Sequence, residues 1–424
     1  MKRLLLSLLA VFSVLSVLQA QTWSGVYVGG HIRRERPKTI TTLKNSGFTY
    51  VLLFNVHVDA DGKLMTDGET ICEGGKYVFQ RTQPYYVSDI RSLKEHPTSI
   101  RHIEIVIGGW GNDSYDHIRD IIKAHPNDLE QTDLYKNFKA LKEMIPEIDG
   151  VNNDDEHCYD LSTGVKFHTM MYDLGYVTSI APYMNRSYWQ RLVSQLNSAR
   201  PGACERVLIQ CYDGGAYNNP SDWHFGDIPL LAGRTNYQTD MNTSISQMQK
   251  WRDDCNVVGG FVWVYNDETW SLSNWAKEMN KVFRTSDDGV LTVYSKKNFE
   301  GDSFQLPVGE YLSGDLLAYG LTPSEMYSFE IAEGYMVTLY RNAALTGASL
   351  ELQESSADPG SRWRGFVKSL RVERIPDGVQ TLARHQENSP VEFYDLSGLR
   401  LQTAPLHGAF IIRQGNTSRI SMKR

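Results

Sequence analysis

The run Ile148-Asp149-Gly150-Val151-Asn152-Asn153-Asp154-Asp155-Glu156 begins apolar and turns acidic within nine positions. As a β-strand it alternates faces, so Asn152, Asp154 and Glu156 share one face, about 6.5 to 7 Å apart at each step. Asn153 and Asp155 then face the other way. Two carboxyls this close do not ionise independently: the second must release its proton in the field of the first and in partial desolvation. One carboxyl then holds a proton near neutral pH while its neighbour stays charged, an arrangement that suits chemistry on sugars. The plain alternative is an acidic loop after a strand, forming a turn or a weak cation site.

Such a pair works only if a rigid frame holds it. Between residues 21 and 284, short β-branched runs alternate with helical ones. The predicted strands are Val26–Gly30, Tyr50–Val56, Ile103–Gly108, Asp149–Glu156, Val177–Pro182, Val207–Asp213, Ile228–Ala232 and Val257–Val264. Helical patterns between them include Pro37–Ser46, Leu134–Met144, Val165–Leu174, Trp189–Leu196, Ser244–Asp253 and Leu272–Val282. Continuous apolar strands separated by helices imply parallel pairing covered on both faces. Eight such units predict an α/β fold, a closed (β/α)8 TIM barrel with working residues at the C-terminal strand ends. A doubly wound sheet is the runner-up, but no Gly-rich phosphate loop follows the first strand. The long segment from Asp59 to Val87 carries Asp59-Ala60-Asp61-Gly62; it lacks EF-hand spacing, reads as an Asp-Gly hairpin turn, and is expected to wall the cleft.

Asp149-Gly150-Val151-Asn152-Asn153-Asp154-Asp155-Glu156 resembles the active-site strand of glycoside hydrolase family 18, D-G-x-D-x-D-x-E. Its Asp-Asp-Glu ending is similar to the endo-β-N-acetylglucosaminidase branch. Asn152 stands where the family has Asp; its amide is expected to donate to Asp154 and keep that carboxylate ionised. Three other strand ends match in chain order. Val106-Ile107-Gly108-Gly109-Trp110 resembles the family's S-x-G-G strand with Val106 replacing Ser. Gln210-Cys211-Tyr212-Asp213 resembles the strand that offers a Tyr and an Asp or Asn to the sugar. Gly259-Gly260-Phe261-Val262-Trp263 resembles the strand whose Trp lies under the reacting ring.

The resemblance implies substrate-assisted retention, an exception to the two-carboxylate scheme. Glu156 would be the acid and base, Asp154 would orient the substrate's acetamido group, and Tyr212 would hydrogen-bond its carbonyl. Asn152, Trp263, Gln210, Asp213, Trp110, Gly109 and Tyr183 would bind the sugar. No cofactor and no metal are implied. The expected activity is that of a secreted glycosidase cleaving β-1,4 bonds next to N-acetylglucosamine, an endo-β-N-acetylglucosaminidase before a chitinase. Its partner would be an N-acetylglucosamine-containing glycan; chitin and peptidoglycan-type polymers are the nearest alternatives. The rival from another class is a non-catalytic glycan-binding protein with a degenerate barrel.

A net charge of -7 and the lack of a basic stripe argue against a nucleic-acid partner. Nine Trp and 23 Tyr suit carbohydrate faces as well as β-rich domains. Lys2 and Arg3, the apolar run Leu4 to Leu18 and Gln19-Ala20-Gln21 read as a signal peptide over residues 1–20, and no other run is long enough to be a transmembrane segment. Export makes five cysteines available for disulfides: Cys204 with Cys255 is the first pairing considered, Cys72 and Cys158 each follow a strand, and Cys211 reads as a buried thiol.

After residue 288 the pattern is alternating β only. Leu291 to Tyr294 with Gly301, Phe304 and Leu306 recurs as Val337 to Tyr340 with Gly347, Leu350 and Leu352, and each half ends in a Ser strand, Ser328 to Ile331 and Ser369 to Val372. This internal repeat predicts duplicated all-β Greek-key units over 289–375. It resembles the βγ-crystallin fold, and because the stretches before Ser328 and Ser369 lack paired Asn/Asp, a calcium-free structural or glycan-binding module is expected. Residues 376–424 resemble a type IX secretion C-terminal sorting domain, which implies that secretion machinery as a partner; the alternative is that they are the last strands of the preceding domain.

Overall fold

The computed structural model describes residues 23–255, 257–265, 271–284, 289–375, 391–396, 399–405, 407–414 and 417–423. Eight strands build its largest unit: β1 (Trp23–Val28), β2 (Tyr50–Val58), β3 (His102–Gly108), β4 (Gly150–Asp154), β5 (Val177–Ile180), β6 (Cys204–Gln210), β7 (Leu230–Thr235) and β8 (Gly259–Tyr265). Each pairs in parallel with the next, and β1 pairs with both β2 and β8, so the sheet closes into a barrel. Helices cover its outside, among them Lys38–Lys44, Ser114–Ala124, Asp133–Met144, Leu161–Asp173, Arg186–Ala199, Met241–Cys255 and Leu272–Phe283.

Burial on both faces explains the composition of the strands. Every residue of β3 is buried: Ile103, Ile105 and Ile107 meet the helices, while Val106 meets the inner core of Tyr27, Tyr50, Leu52, Leu208 and Phe261. Space inside the ring is short. A Cβ on Gly233 would come within 2.2 Å of the Phe261 ring, so glycine at that β7 position is what admits the aromatic.

Two expectations are revised. The sixth strand stops at Gln210, so Tyr212 and Asp213 lie beyond it, with Asp213 opening the short 3-10 turn Asp213–Gly215. The hairpin turn at Asp59 forms, with Gly62 N–H donating to Asp59 O at 2.8 Å. However, no residue of the segment from Asp59 to Val87 lines the cleft. Its strands continue the sheet from the edge of β2 and lie along helix Asp133–Met144, where Asn137 Nδ2 donates to Gly62 O.

Residues 291–374 form two antiparallel sheets around one core that includes Leu291, Val293, Phe304, Phe329, Val337, Leu339 and Leu370. Strand Gly309–Tyr311 of the first half joins the sheet of the second, pairing with Ser369–Arg374. The two Ser residues singled out by the repeat do the same job. Ser328 Oγ donates to Lys296 O and accepts from Phe299 N–H, and Ser369 Oγ donates to Asn342 O and accepts from Leu345 N–H. Each hydroxyl is therefore committed to holding its own hairpin.

This unit packs on the N-terminal ends of the barrel strands, away from the C-terminal ends. Arg101 pairs with Asp315, Lys277 Nζ lies 2.6 Å from Glu325, and Asn280 Nδ2 bridges Gly47 O and Leu317 O. The described tail residues add a four-stranded antiparallel sheet that includes Val391–Tyr394, Gly408–Gln414 and Thr417–Lys423. The expected signal peptide and residues 376–390 lie outside the described residues. Among the described residues, no helix is long and apolar enough to cross a membrane.

Candidate active site

At the C-terminal strand ends a cavity of about 670 Å³ is lined by Phe54, Gly109, Trp110, Asp154, Glu156, Tyr183, Gln210, Tyr212, Asp213, Gly214 and Trp263. Nine of the ten residues expected to form the site therefore meet in one hollow. The tenth, Asn152, lies beneath it and is fully buried.

Strand β4 delivers Asp154 at its last position, and the neighbouring glycines let it in. Gly108 has φ 105°, and a Cβ there would sit 2.2 Å from Asp154 O; Gly109 N–H donates to the same oxygen at 2.7 Å. The helix-facing residues fix the loop that follows. Asn153 Oδ1 accepts from Asp155 N–H at 2.9 Å, and Asn153 Nδ2 donates to the buried imidazole of His168. Burial pushes the His168 pKa down to about 3, so the ring is neutral and accepts. Asp155 accepts the backbone N–H groups of His157, Cys158 and Tyr159 at 3.2, 2.9 and 2.7 Å. It shapes the turn that carries Glu156, and its own carboxyl points away from the cavity.

Burial raises the pKa of Asp154 well above the ordinary carboxylate value, and the charge of Glu156 adds to this; a hydrogen bond from Gln210 Nε2 at 2.8 Å opposes it. Glu156 is also raised, mainly by burial, against the pull of His157 and with Asp155 and Asp213 adding to it. The expectation of an ionised Asp154 is thus revised: Asp154 is the more deeply buried of the two, and burial together with the Glu156 charge favours its protonated form. The role given to Asn152 is corrected as well. Its Nδ2 donates to Ser179 Oγ at 2.7 Å, and its Oδ1 accepts from Tyr27 OH at 3.1 Å. The amide nitrogen is turned down the barrel, and Gln210 supplies the donor to Asp154.

The aromatic residues divide into floor and rim. Trp263 is held edge-on by Phe54, with ring centroids 4.7 Å apart, and by Tyr27 at 5.2 Å. Tyr212 is buried, and burial keeps it a neutral phenol able to donate. Trp110 is 92% exposed at the mouth, a flat face with little protein against it. Asp213 is steadied by Tyr237 OH at 2.7 Å, and Gly214 makes room for Tyr183, whose ring would lie 2.9 Å from a Cβ there. Phe54 and Gly214 escaped the sequence reading. Phe54 looks like any core residue in an apolar strand, and Gly214 like part of an ordinary Gly-Gly turn.

Asp113, Asp116 and His157 are close enough to share a cation beside the cavity. Arg119 already neutralises Asp116 at 2.5 Å, so this set reads as an ion-pair cluster on the rim. A larger hollow of about 780 Å³, lined in part by Trp223, His224 and Asp253, lies near the N-terminal ends of β7 and β8. Its three acids, Asp227, Asp253 and Asp254, are all exposed, and two of them are paired, Asp253 with Arg252 and Asp254 with Lys250, so it holds no buried carboxyl pair. The expected disulfide is absent: all five cysteines are free. Cys204 Sγ faces Arg206 O of its own strand and Cys255 Sγ faces Asn219 Oδ1, each at 3.8 Å. Cys211 is the buried thiol expected, with its pKa raised by burial to about 12.

No protein-family model matches the chain. It is 30% identical over 94 residues to Development-specific protein S of Myxococcus xanthus, a match covering 22% of this chain and 53% of that protein; the chain thus spans about half the length of the curated relative it matches. Among solved structures, a βγ-crystallin domain from Flavobacterium johnsoniae is 30% identical, with 20% of this chain and 94% of that chain covered and a TM-score of 0.20. The N-terminal domain of protein S is 28% identical, covering 20% of this chain and 97% of that one, also with a TM-score of 0.20. About a fifth of the chain is therefore similar in sequence to βγ-crystallin domains.

Proposed function

We propose that the closed barrel is a (β/α)8 barrel of the glycoside hydrolase family 18 type. In this reading the protein is a secreted glycosidase that cleaves β-1,4 linkages next to N-acetylglucosamine. The observation that carries it is the convergence of Asp154, Glu156, Tyr212, Gln210, Asp213, Tyr183 and Trp263, drawn from separate strand ends, on one cavity.

The chemistry follows from the proton balance. The two carboxyls share protons as a pair. An acetamido N–H arriving at Asp154 favours its charged form, which leaves the proton to Glu156, the group nearer solvent. Glu156 then protonates the leaving oxygen while the acetamido oxygen attacks the anomeric carbon, with Asp154 and Tyr212 holding the amide. Water opens the resulting oxazolinium with Glu156 as base. Trp263, locked by Phe54 and Tyr27, offers an apolar face to the ring.

The endo-β-N-acetylglucosaminidase branch is favoured by the Asp154-Asp155-Glu156 ending. Residues 1–20 are read as an export signal, and 376–424 as a type IX address; deleting the tail would leave the protein short of the cell exterior if so. The second reading, a glycan-binding protein without turnover, is favoured by Asn152 at a place where the family has Asp. Mass spectrometry of products from N-glycans, chitooligosaccharides and muropeptides, with wild type beside E156Q, separates the two. Cleavage lost in E156Q supports the enzyme; binding without products from any glycan supports the rival.

A further inference from the structure

Below the cavity floor the barrel encloses a second acid. Glu104 on β3 is fully buried. It receives hydrogen bonds from Arg206 Nη1 at 2.6 Å and from the hydroxyls of Tyr50 and Ser179, with His102 Nε2 2.8 Å away. His102 in turn lies 3.4 Å from Asp149. A carboxylate so surrounded by donors is a fixed anion.

That anion sets the direction of a row of hydrogen bonds. Ser179 has one hydroxyl proton and gives it to Glu104. Its oxygen is therefore an acceptor toward residue 152, and the partner there must be a donor, which Asn152 Nδ2 is. The amide oxygen is left for Tyr27 OH, and Asp154 lies one step further up the same face of β4. An ionised carboxyl at 152 would confront the Ser179 lone pair with no proton to offer, in the field of the Glu104 anion below.

We propose that Glu104 is a positioning residue matched to Asn152 through Ser179: the buried anion demands an amide at 152, and that amide is kept from sharing the Asp154 proton. The first part stands on the hydrogen-bond row; its consequence for Asp154 rests on the glycosidase reading. It also accounts for the departure from the family's Asp at this place.

The test is a set of full-length variants, N152D, N152A, E104Q and E104Q/N152D, compared with wild type by thermal unfolding from pH 4 to pH 8. In N152D the introduced carboxyl keeps its place only while protonated, so its native pKa stands above the unfolded value of about 3.9. Above that pH the unfolded chain releases a proton that the folded chain retains, and stability falls as pH rises. The expected result is a Tm close to wild type at pH 4 and lower by about 5 °C or more at pH 8. N152A loses the same hydrogen bonds without a charge, so its deficit is flat with pH. In the double variant the pH-dependent deficit disappears, and kcat/KM at pH 7 recovers relative to N152D. An N152D deficit equal at both pH values, or unchanged when Glu104 is replaced, overturns the proposal. Should E104Q fail to fold, the contrast between N152D and N152A decides alone. Absence of hydrolysis in every protein, wild type included, refutes the glycosidase reading and leaves the Tm comparison to judge the matched pair.

Discussion

Glu104 and Asp154 are both buried acids inside one barrel, on adjacent strands, yet their surroundings shift them in opposite directions. Burial works to raise both. For Glu104 it is outweighed by the His102 hydrogen bond, the Arg206 guanidinium and Ser179, so its pKa falls below the ordinary value. Asp154 has one side-chain donor, Gln210, and a second acid nearby, and its pKa rises. Depth alone therefore does not decide whether an acid is structural or reactive; the donors around it do. The barrel fills its N-terminal half with a saturated anion and leaves its C-terminal rim with a carboxyl short of donors, where a ligand's own N–H can complete the shell.

Four substitutions break or sharpen that contrast. The largest effect belongs to E156Q, which removes the proton donor: hydrolysis of an N-acetylglucosamine glycan should drop by about 100- to 10,000-fold, with Tm little changed. Next, E104A should destabilise the fold by about 3–5 kcal/mol in denaturant unfolding, because Arg206 loses its buried partner. D154N should do the reverse to stability. A carboxyl with a raised native pKa stays protonated in the folded chain while the unfolded chain ionises, so wild type loses stability as pH rises above about 4. The amide carries no such cost, and the Tm of D154N should exceed that of wild type by a margin that grows from pH 4 to pH 7 while hydrolysis is lost. The smallest effect is expected for W110A, a rise in KM of up to about tenfold with kcat and Tm preserved, since the exposed indole packs on little else.

The parts legible in the sequence were those with a repeating physical signature. Continuous apolar strands announced a closed parallel sheet, the run ending in Asp154 and Glu156 announced the rim, and the duplicated Ser strands announced the paired β sheets. What escaped depended on which atom of a side chain points where. Glu104 sits in plain view within His102-Ile103-Glu104-Ile105-Val106-Ile107-Gly108, a charge in an otherwise apolar strand, but its partners Ser179 and Arg206 come from β5 and β6. Without them Asn152 was expected to donate upward to Asp154, when its nitrogen is claimed from below. The cysteine pairing failed for the same reason: both thiols lie toward the expected end of the barrel, and neither points at the other. The insert after β2 was rightly read as a hairpin and wrongly placed over the cleft, because its covering partner is helix Asp133–Met144.

The proposed chemistry requires Asp154 and Glu156 to hold at least one proton between them at neutral pH. Carbon-13 NMR of the side-chain carboxyls, assigned with D154N and E156Q and followed from pH 3 to pH 9, measures this directly. The Asp154 signal is expected to titrate well above the ordinary aspartate range, with Glu156 also displaced upward. Both signals completing their titration near pH 4, as independent exposed carboxylates do, would contradict it.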